Sequence, residues 1–593
     1  MKLSDYLSKY LEDYTKDIFL IPGGGCIHIV DSLSKSKINL IANLHEQAAA
    51  ICAESYAQFT NKIGVVLVTT GPGATNALTG IASAWLDSVP VLIITGQVQS
   101  KDRATGKGVR QLGFQEINSV AIYKNITKYA QTIEKPETIK FHLKKALHLA
   151  TTGRPGPVLL DIPLDIQAAE IDENNLEDYN PIDNKDSLDL SNMMQELQLA
   201  KRPILLVGNG TRLAHALPEC LEFIRKTNIP VLTTWKTLDI LMEDDPQYVG
   251  RPGGVGQRGA NFNQQNSDFI ICVGARLDHG QLAYQSKYFA RAAKKCIVDV
   301  DVNEINKLEC HIDYPINTDA KNFFNHANKI ATKLHTAEWL KLCKTLHEKY
   351  PVVLPEYLDP TISYVNNYAF IHYLSLAIPD NCLIVPGSSG ACSEVTMQSF
   401  TVCHKNIRIY NSEGLGSMGF GVPAAIGGCI ANNKDLTICI DGDGGFVMNI
   451  QELELVDRYK LPIKFFILNN NGYGSIKNTQ KTHFQGRLVA SDPQSGLTLP
   501  SIEKQAYAYN IPFYRIVNQY DIQNKIETII NTNGPSICEI MVDQNHITQP
   551  KASVYKKKDG SFCARPMEDL APFLNRQEFL SNLLVEPIQY DEE

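Results

Sequence analysis

The sequence predicts an α/β fold built from three doubly wound domains, and three observations carry that expectation. Short apolar runs recur along the chain, separated by helix-like segments. Many of these runs end in a polar, glycine-rich turn. The 593 residues also exceed what a single hydrophobic core organises. Strands of a parallel sheet are buried on both faces and read as continuous apolar runs, and each return crossover is long enough for a helix.

Leu3, Leu7 and Leu11, with Tyr6, Tyr10 and Tyr14, recur at helical spacing, and Ser4 or Asp5 is the candidate cap. Residues 17–21 run into Pro22-Gly23-Gly24-Gly25, and 38–44 lead into His45-Glu46-Gln47 and an alanine-rich helix. Residues 64–69 meet Gly71-Pro72-Gly73, and 89–95 end at Gly96-Gln97. These elements, closed by the run at 156–163, place an N-terminal domain at 1–172. The stretch 171–190, rich in Asp, Glu and Asn, reads as a linker. A central domain at 190–345 holds runs at 203–207, 269–273 and 297–301. A connector with Pro351, Pro355 and Pro360 leads to a C-terminal domain at 365–550. The tail, 551–593, has few strand signals and an acidic end; its Phe573, Phe579 and Leu580 could cover the site or pack on the surface, and packing is the expectation.

Bulk composition narrows the function classes. Fifty-six Lys and Arg against 64 Asp and Glu give a net charge of −8, which points to neither nucleic acid nor an anionic membrane as partner. Lys556-Lys557-Lys558 is the only basic run and reads as a solvated loop. Fourteen cysteines without a CxxC pair read as reduced, buried thiols. No export signal and no membrane-spanning apolar stretch is evident, so a cytoplasmic protein is expected.

The most informative stretch is 436–475. An apolar run meets Asp441-Gly442-Asp443-Gly444-Gly445, a helix of about three turns follows, and a second apolar run ends in Asn469-Asn470-Asn471-Gly472. Ligands of parallel sheets bind beyond the carboxyl ends of strands. Asp443 and Asn470 lie just past two such ends, 27 positions apart. A carboxylate oxygen from Asp443, an amide oxygen from Asn470 and a carbonyl near Gly472 suit octahedral Mg²⁺, leaving positions for phosphate oxygens and water. Gly442, Gly444 and Gly445 allow backbone N–H groups close approach to a diphosphate. A lone Gly-Asp-Gly is usually only a tight turn; the paired strand ends make this one specific.

Gly-Asp-Gly followed after 24 residues by Asn-Asn resembles the diphosphate motif of thiamine diphosphate enzymes, and the segment around Glu46 is similar to the acetolactate synthase branch in particular. The resemblance covers about residues 1–550. It implies that Glu46 hydrogen-bonds the pyrimidine ring nitrogen of the cofactor, where position alone suggests a carboxylate favoured by a helix N-terminus. It implies that the Gly416 carbonyl accepts from the 4′-amino group and that Met418, 25 positions before Asp443, wedges between the two rings. Gly387, Ser388 and Ser389 would line the diphosphate, together with Tyr473 and Gly474. Phe114 and Gln115 would line the substrate site, Gln115 as a donor to substrate oxygen. The expected reaction is decarboxylation of a 2-keto acid, most simply pyruvate, and transfer of the remaining hydroxyethyl unit to a second carbonyl.

The resemblance also places FAD as a possible occupant of the central domain, at Gly210, Gly274, Arg276, Asp299 and Asp301; nothing in the bare pattern demands it. It further implies that first and third domains of different subunits meet at each site, so a homodimer is the minimum and a homotetramer is expected. Two departures concern the acceptor. Leu164 stands where the synthase pattern has a channel lysine, and Thr479 where it has a tryptophan. The segment 471–480 looks more like relatives that transfer a two-carbon unit to a keto nucleotide sugar, or that hydrolyse a cyclic diketone. Those two reactions remain as alternatives.

Overall fold

The structure, a computed structural model, describes residues 1–181 and 187–590. Part of the expected linker and the acidic terminal residues therefore lie outside the described residues. Three parallel sheets carry the fold. In the first and third domains the six strands, numbered within each domain, share the order 2-1-3-4-6-5, and the five-stranded central sheet follows 5-4-3-1-2. Each order reverses between strands 1 and 3, which opens a crevice at their carboxyl ends.

In the first domain those neighbours are Asp17–Leu20 and Gly64–Val68, and the second strand, Asn39–Ala42, leads to the helix Glu46–Thr60. In the third they are Leu383–Pro386 and Thr437–Gly442, and the latter pairs in parallel with Ile463–Asn469. The strand segments Val65–Val68 and Phe465–Ile467 are fully buried, as a sheet covered by helices on both faces requires.

Small residues bring the first and third domains together. The helix Glu46–Thr60 lies against Gly421–Ala431, and a Cβ on Gly427 would stand 2.2 Å from the Cys52 carbonyl oxygen. Ser55 Oγ donates to the Ala424 carbonyl at 2.5 Å and pairs with Tyr410 Oη at 2.8 Å. One continuous apolar cluster runs from Phe19 through Ala424 to Ile537. Among the described residues, no helix is long and apolar enough to cross a membrane.

Three local expectations change. The first helix spans Leu3–Leu11 with Lys2 at its N-cap, while Ser4 and Asp5 bond elsewhere, Ser4 to the Gln167 carbonyl and Asp5 to Ser32. The crossover after Asp443 is not one three-turn helix. It breaks into Asp443–Phe446, Val447–Glu452 and Leu453–Tyr459, with Asn449 out of helical geometry because its Nδ2 donates to the Gly419 carbonyl at 2.7 Å. The tail forms a small antiparallel hairpin, Val554–Lys556 with Phe562–Ala564, and so takes Lys556 out of the expected loop.

The tail then clamps the central domain. The helix Arg258–Gln265 is buried along its whole length although it is polar. Its partners come from the central domain, as where Asn263 Nδ2 donates to the Cys343 carbonyl at 3.0 Å, and from the tail: Asn261 Nδ2 donates to the Met567 carbonyl at 2.6 Å, Gln265 Nε2 to Glu568 at 2.9 Å and Arg258 to the Leu570 carbonyl at 3.1 Å. Phe579 packs with Phe262 and Leu346. Phe573 and Leu580 stay half-exposed, Phe573 against the Arg565 guanidinium at 4.6 Å, as surface packing implies, whereas Phe579 is buried more deeply than that expectation.

Candidate active site

At the carboxyl end of the third sheet a cavity of about 490 Å³ gathers most of the expected cradle. Ser388 and Ser389 follow the strand Leu383–Pro386, and Asp443 follows Thr437–Gly442. Gly442, Gly444 and Gly445, with Asn470, Gly472, Tyr473 and Gly474, form the floor and far wall, and Gly416 and Met418 come from the loop before the helix Gly421–Ala431. Gly387 stands just behind, where a Cβ would meet Asp441 Oδ1 at 2.3 Å.

Asp443 is buried and held by two backbone donors, Gly444 N–H at 2.9 Å and Gly472 N–H at 3.0 Å. The turn that brings Gly472 there needs glycine: its φ is +143°, and a Cβ would lie 2.3 Å from the Ser491 carbonyl oxygen. Burial pushes the Asp443 carboxyl up to about 6 against the two donors, so a nearby cation would favour its charged form. Asn470 Oδ1 is buried with no hydrogen-bond partner. An orphaned amide oxygen beside a buried carboxylate fits a hard divalent cation. No group of three or more His, Cys, Asp or Glu suited to a metal exists among the described residues, so a cation here would rest on mixed oxygen donors.

Asp441 and Glu452 escaped the sequence reading. Asp441 is fully enclosed, with Gly387, Gly421 and Gly445 against its carboxyl; burial raises it to about 7, and Oδ2 has no partner. Its signal was its place in the same Asp-Gly-Asp-Gly-Gly turn, at the end of the apolar strand and two residues before Asp443. Glu452 is fully buried and accepts from Asn43 Nδ2 and Leu44 N–H, both at 3.0 Å. It pins the segment that presents Glu46, a role set by tertiary contact that no local pattern announces.

Glu46 occupies the first turn of its helix, and its Oε2 accepts from Asn76 Nδ2 at 3.0 Å. It does not line the cradle cavity, and neither do Phe114 and Gln115. The loop 101–116 is closed by Glu116, whose carboxylate takes the N–H groups of Ala104, Leu112 at 2.9 Å and Gly113 at 3.4 Å. Phe114 projects from it with 86 % of its surface exposed, and Gln115 has a left-handed backbone (φ +63°) over the Gly71 turn. Within one chain, the Glu46 side of the site and the cradle are thus separate. Thr479 does line the cradle cavity, near Thr482, His483 and His546, while Leu164 begins the short helix Leu164–Ala168 away from it.

A second cavity, about 450 Å³, lies at the switch point of the central sheet. Gly210, Gly274, Arg276 and Asp299 line it; Asp301 instead pairs with Arg154 at 3.0 Å. Residues of all three domains meet here, with Arg154 and Asp87 from the first and Glu413 from the third. Asn209 Oδ1, also on its wall, is buried without a partner.

The sequence as a whole matches known proteins in the order the geometry suggests. Residues 1–122 match the N-terminal TPP binding domain of thiamine pyrophosphate enzymes, 190–326 the central domain and 389–540 the C-terminal TPP binding domain. The acetolactate synthase isozyme 2 large subunit of Escherichia coli is 32 % identical over 532 residues, 89 % of this chain and 93 % of that one. The chain belongs to the thiamine pyrophosphate enzyme family. Within that family it is acetolactate synthase-like, because its relatives agree. A probable acetolactate synthase large subunit of Methanocaldococcus jannaschii is 33 % identical, with 92 % of each chain covered. The acetolactate synthase large subunit of Lactococcus lactis is 32 % identical over 90 % of this chain and 91 % of its own. This thiamine diphosphate enzyme thus has its three parallel α/β domains in the family order.

Proposed function

We propose that the protein is a Mg²⁺-dependent carboligase that decarboxylates a 2-keto acid, pyruvate in the simplest case, and joins the two-carbon unit to a second carbonyl. The orphaned Asn470 Oδ1 beside buried Asp443 is the observation that carries the metal and diphosphate reading. Asp443, Asn470 and the Gly472 carbonyl would hold the cation, with Ser388, Ser389 and the glycines 442, 444 and 445 around the diphosphate. Thiamine diphosphate, when bound, supplies the electron sink that decarboxylation needs. Glu46 would hold a proton between its carboxyl and the pyrimidine nitrogen, the Gly416 carbonyl would orient the amino group, and Met418 would set the angle between the rings. Gln115 would donate to the substrate oxygen and Phe114 would exclude water.

Because Glu46, Phe114 and Gln115 stand apart from the cradle within one chain, we assign them to the cradle of a second copy. The working unit is then a homodimer at least, with a tetramer expected. FAD is the proposed occupant of the central cavity, supported by its three-domain wall and the orphaned Asn209 Oδ1. Thr479 on the cradle wall, a small hydroxyl where relatives of this type carry an indole, supports a second reading in which the acceptor is a larger, polar carbonyl compound such as a keto sugar. The deciding test is product analysis with pyruvate alone at saturating cofactor and Mg²⁺. Acetolactate supports the first reading; CO₂ release that yields no acetolactate until a keto sugar is added supports the second. No pyruvate turnover with any acceptor refutes both.

A further inference from the structure

The helix Leu78–Leu86 ends on Asp87, a carboxylate at the end of a helix where the dipole disfavours negative charge. Asp87 is also buried, so it serves neither its own helix nor solubility. Its carboxylate is used elsewhere. Oδ2 accepts the Glu413 N–H at 2.9 Å, and Oδ1 accepts the Gly414 N–H at 2.8 Å. Lys236 of the central domain, buried too, donates to Oδ2 at 2.6 Å and to Gln58 Oε1 at 3.2 Å. A carboxylate held by an ammonium and two amides in a dry site makes strong, directional bonds.

One helical turn earlier, Ser83 reaches the same loop. Its Oγ lies 2.9 Å from Ser412 Oγ and donates to Glu54 Oε1 at 2.9 Å, and Ser412 Oγ accepts the Gly416 N–H at 3.3 Å. Ser83 and Glu54 have no exposed surface. Gly414 allows the approach, since a Cβ there would stand 2.6 Å from Leu86 Cβ. The first domain therefore holds the Glu413 and Gly414 N–H groups through Asp87 and, through Ser83, the Ser412 hydroxyl that takes the Gly416 N–H, two positions before Met418. On the cavity side the loop is open: a Cβ on Gly416 would meet nothing within 4 Å.

We propose that Asp87, backed by Lys236 and aided by Ser83, is a positioning residue that fixes the 412–418 loop so that Gly416 and Met418 meet the aminopyrimidine half of thiamine diphosphate. This rests on the reading that the 416–418 segment contacts that cofactor. Neither Asp87 nor Ser83 lines the cradle cavity, so they act through the backbone of the loop and not by touching substrate. Main-chain N–H groups and carbonyls leave a chain in opposite directions across each peptide. Holding the 414 and 416 N–H groups fixes the 413–414 and 415–416 peptide planes, and so anchors the loop up to the Gly416 Cα, from which that residue's carbonyl and Met418 follow.

The experiment uses the full-length protein and measures thiamine diphosphate dissociation with Mg²⁺ present, together with near-ultraviolet circular dichroism of the bound cofactor, which reports the orientation of its rings. Asp87→Asn is expected to weaken cofactor binding at least about tenfold, since one oriented charged acceptor is lost, and to change the cofactor's dichroic signal in the fraction that still binds. Should Asp87→Asn leave Lys236 uncompensated and the chain unfolded, the double variant Asp87→Asn with Lys236→Met removes both charges, and the same two readouts are expected. A folded variant with unaltered dissociation and an unaltered cofactor signal overturns the proposal, even if its melting temperature falls. Absence of cofactor binding by the unsubstituted protein would instead refute the cofactor reading itself.

Discussion

The two cavities are nearly equal in volume, about 450 and 490 Å³, yet they are finished to different degrees. The central one draws its wall from three domains of a single chain, with Arg154, Asp87, Asn209 and Glu413 converging on it. The cradle is lined by the third domain and the start of the tail alone, and the chain's own Glu46 lies elsewhere. Both sit at switch points of parallel sheets, so topology does not explain the difference. The surfaces around them do. Phe114 stands exposed on the loop that Glu116 closes, so that surface is left uncovered, whereas residues of all three domains wall the central cavity. One chain thus walls the central cavity with all three of its domains, while its Glu46 does not reach its own cradle.

The largest expected effect tests whether the cradle alone fixes the metal. Asp443→Ala should abolish Mg²⁺-dependent binding of thiamine diphosphate, seen as a loss of about 100-fold or more by titration, because a buried ligand oxygen disappears. Glu46→Gln should leave binding measurable and slow pyruvate decarboxylation by about 10²- to 10⁴-fold, the range of a lost proton-transfer group. Mixing those two inactive variants tests the division directly. If halves combine across subunits, reassembled mixtures regain part of the CO₂ release, and mixtures that stay inactive after proven exchange of subunits contradict the shared site.

On the other side of the comparison, Arg276→Ala should strip flavin absorbance from the purified protein, lowering affinity by about tenfold, while Mg²⁺-dependent thiamine diphosphate binding persists. A protein that is colourless before substitution, and gains no colour with added FAD, removes the flavin assignment.

The smallest effect concerns the wall between the two sites. Burial, with the charge of Asp87 adding to it and Lys236 opposing it, pushes Glu54 up to about 8. The folded state then holds a proton that the unfolded chain releases near 4.5. Stability from this group is present at low pH and is lost as pH rises through that window to about 8. Glu54→Gln should flatten the fall of the melting temperature between about pH 5 and pH 8 by a few degrees. An unchanged slope would falsify the assignment.

The sequence reached the sheets and the cradle because both rest on local signals. Continuous apolar runs mark buried strands, and Asp443, Asn470 and Gly472 lie where two such runs end. It did not reach the kink at Asn449, since that break depends on the Gly419 carbonyl of another segment. Glu452, Asp87 and Ser83 stayed hidden for the same reason: their partners are hundreds of residues away, as Asn43 is from Glu452. Phe579 was weighed as surface packing because an isolated aromatic in a polar tail carries no period, and only the buried helix Arg258–Gln265 explains it. Separation of Glu46 from the cradle is likewise invisible to motif spacing, which fixes residue types but not which copy of the chain they serve.

The clamp of the tail on that polar helix has a consequence for how the protein is made. Asn261 waits for a carbonyl 306 residues downstream. When the ribosome has finished the central domain, Asn261, Asn263 and Gln265 already have carbonyl partners there, but the Arg258 guanidinium and the second bonds of Asn261 and Gln265 still wait for the tail. The polar helix thus gains its last buried partners only after the C-terminal domain has been synthesised. Removal of the tail would leave the Arg258 guanidinium and one bond each of Asn261 and Gln265 to water.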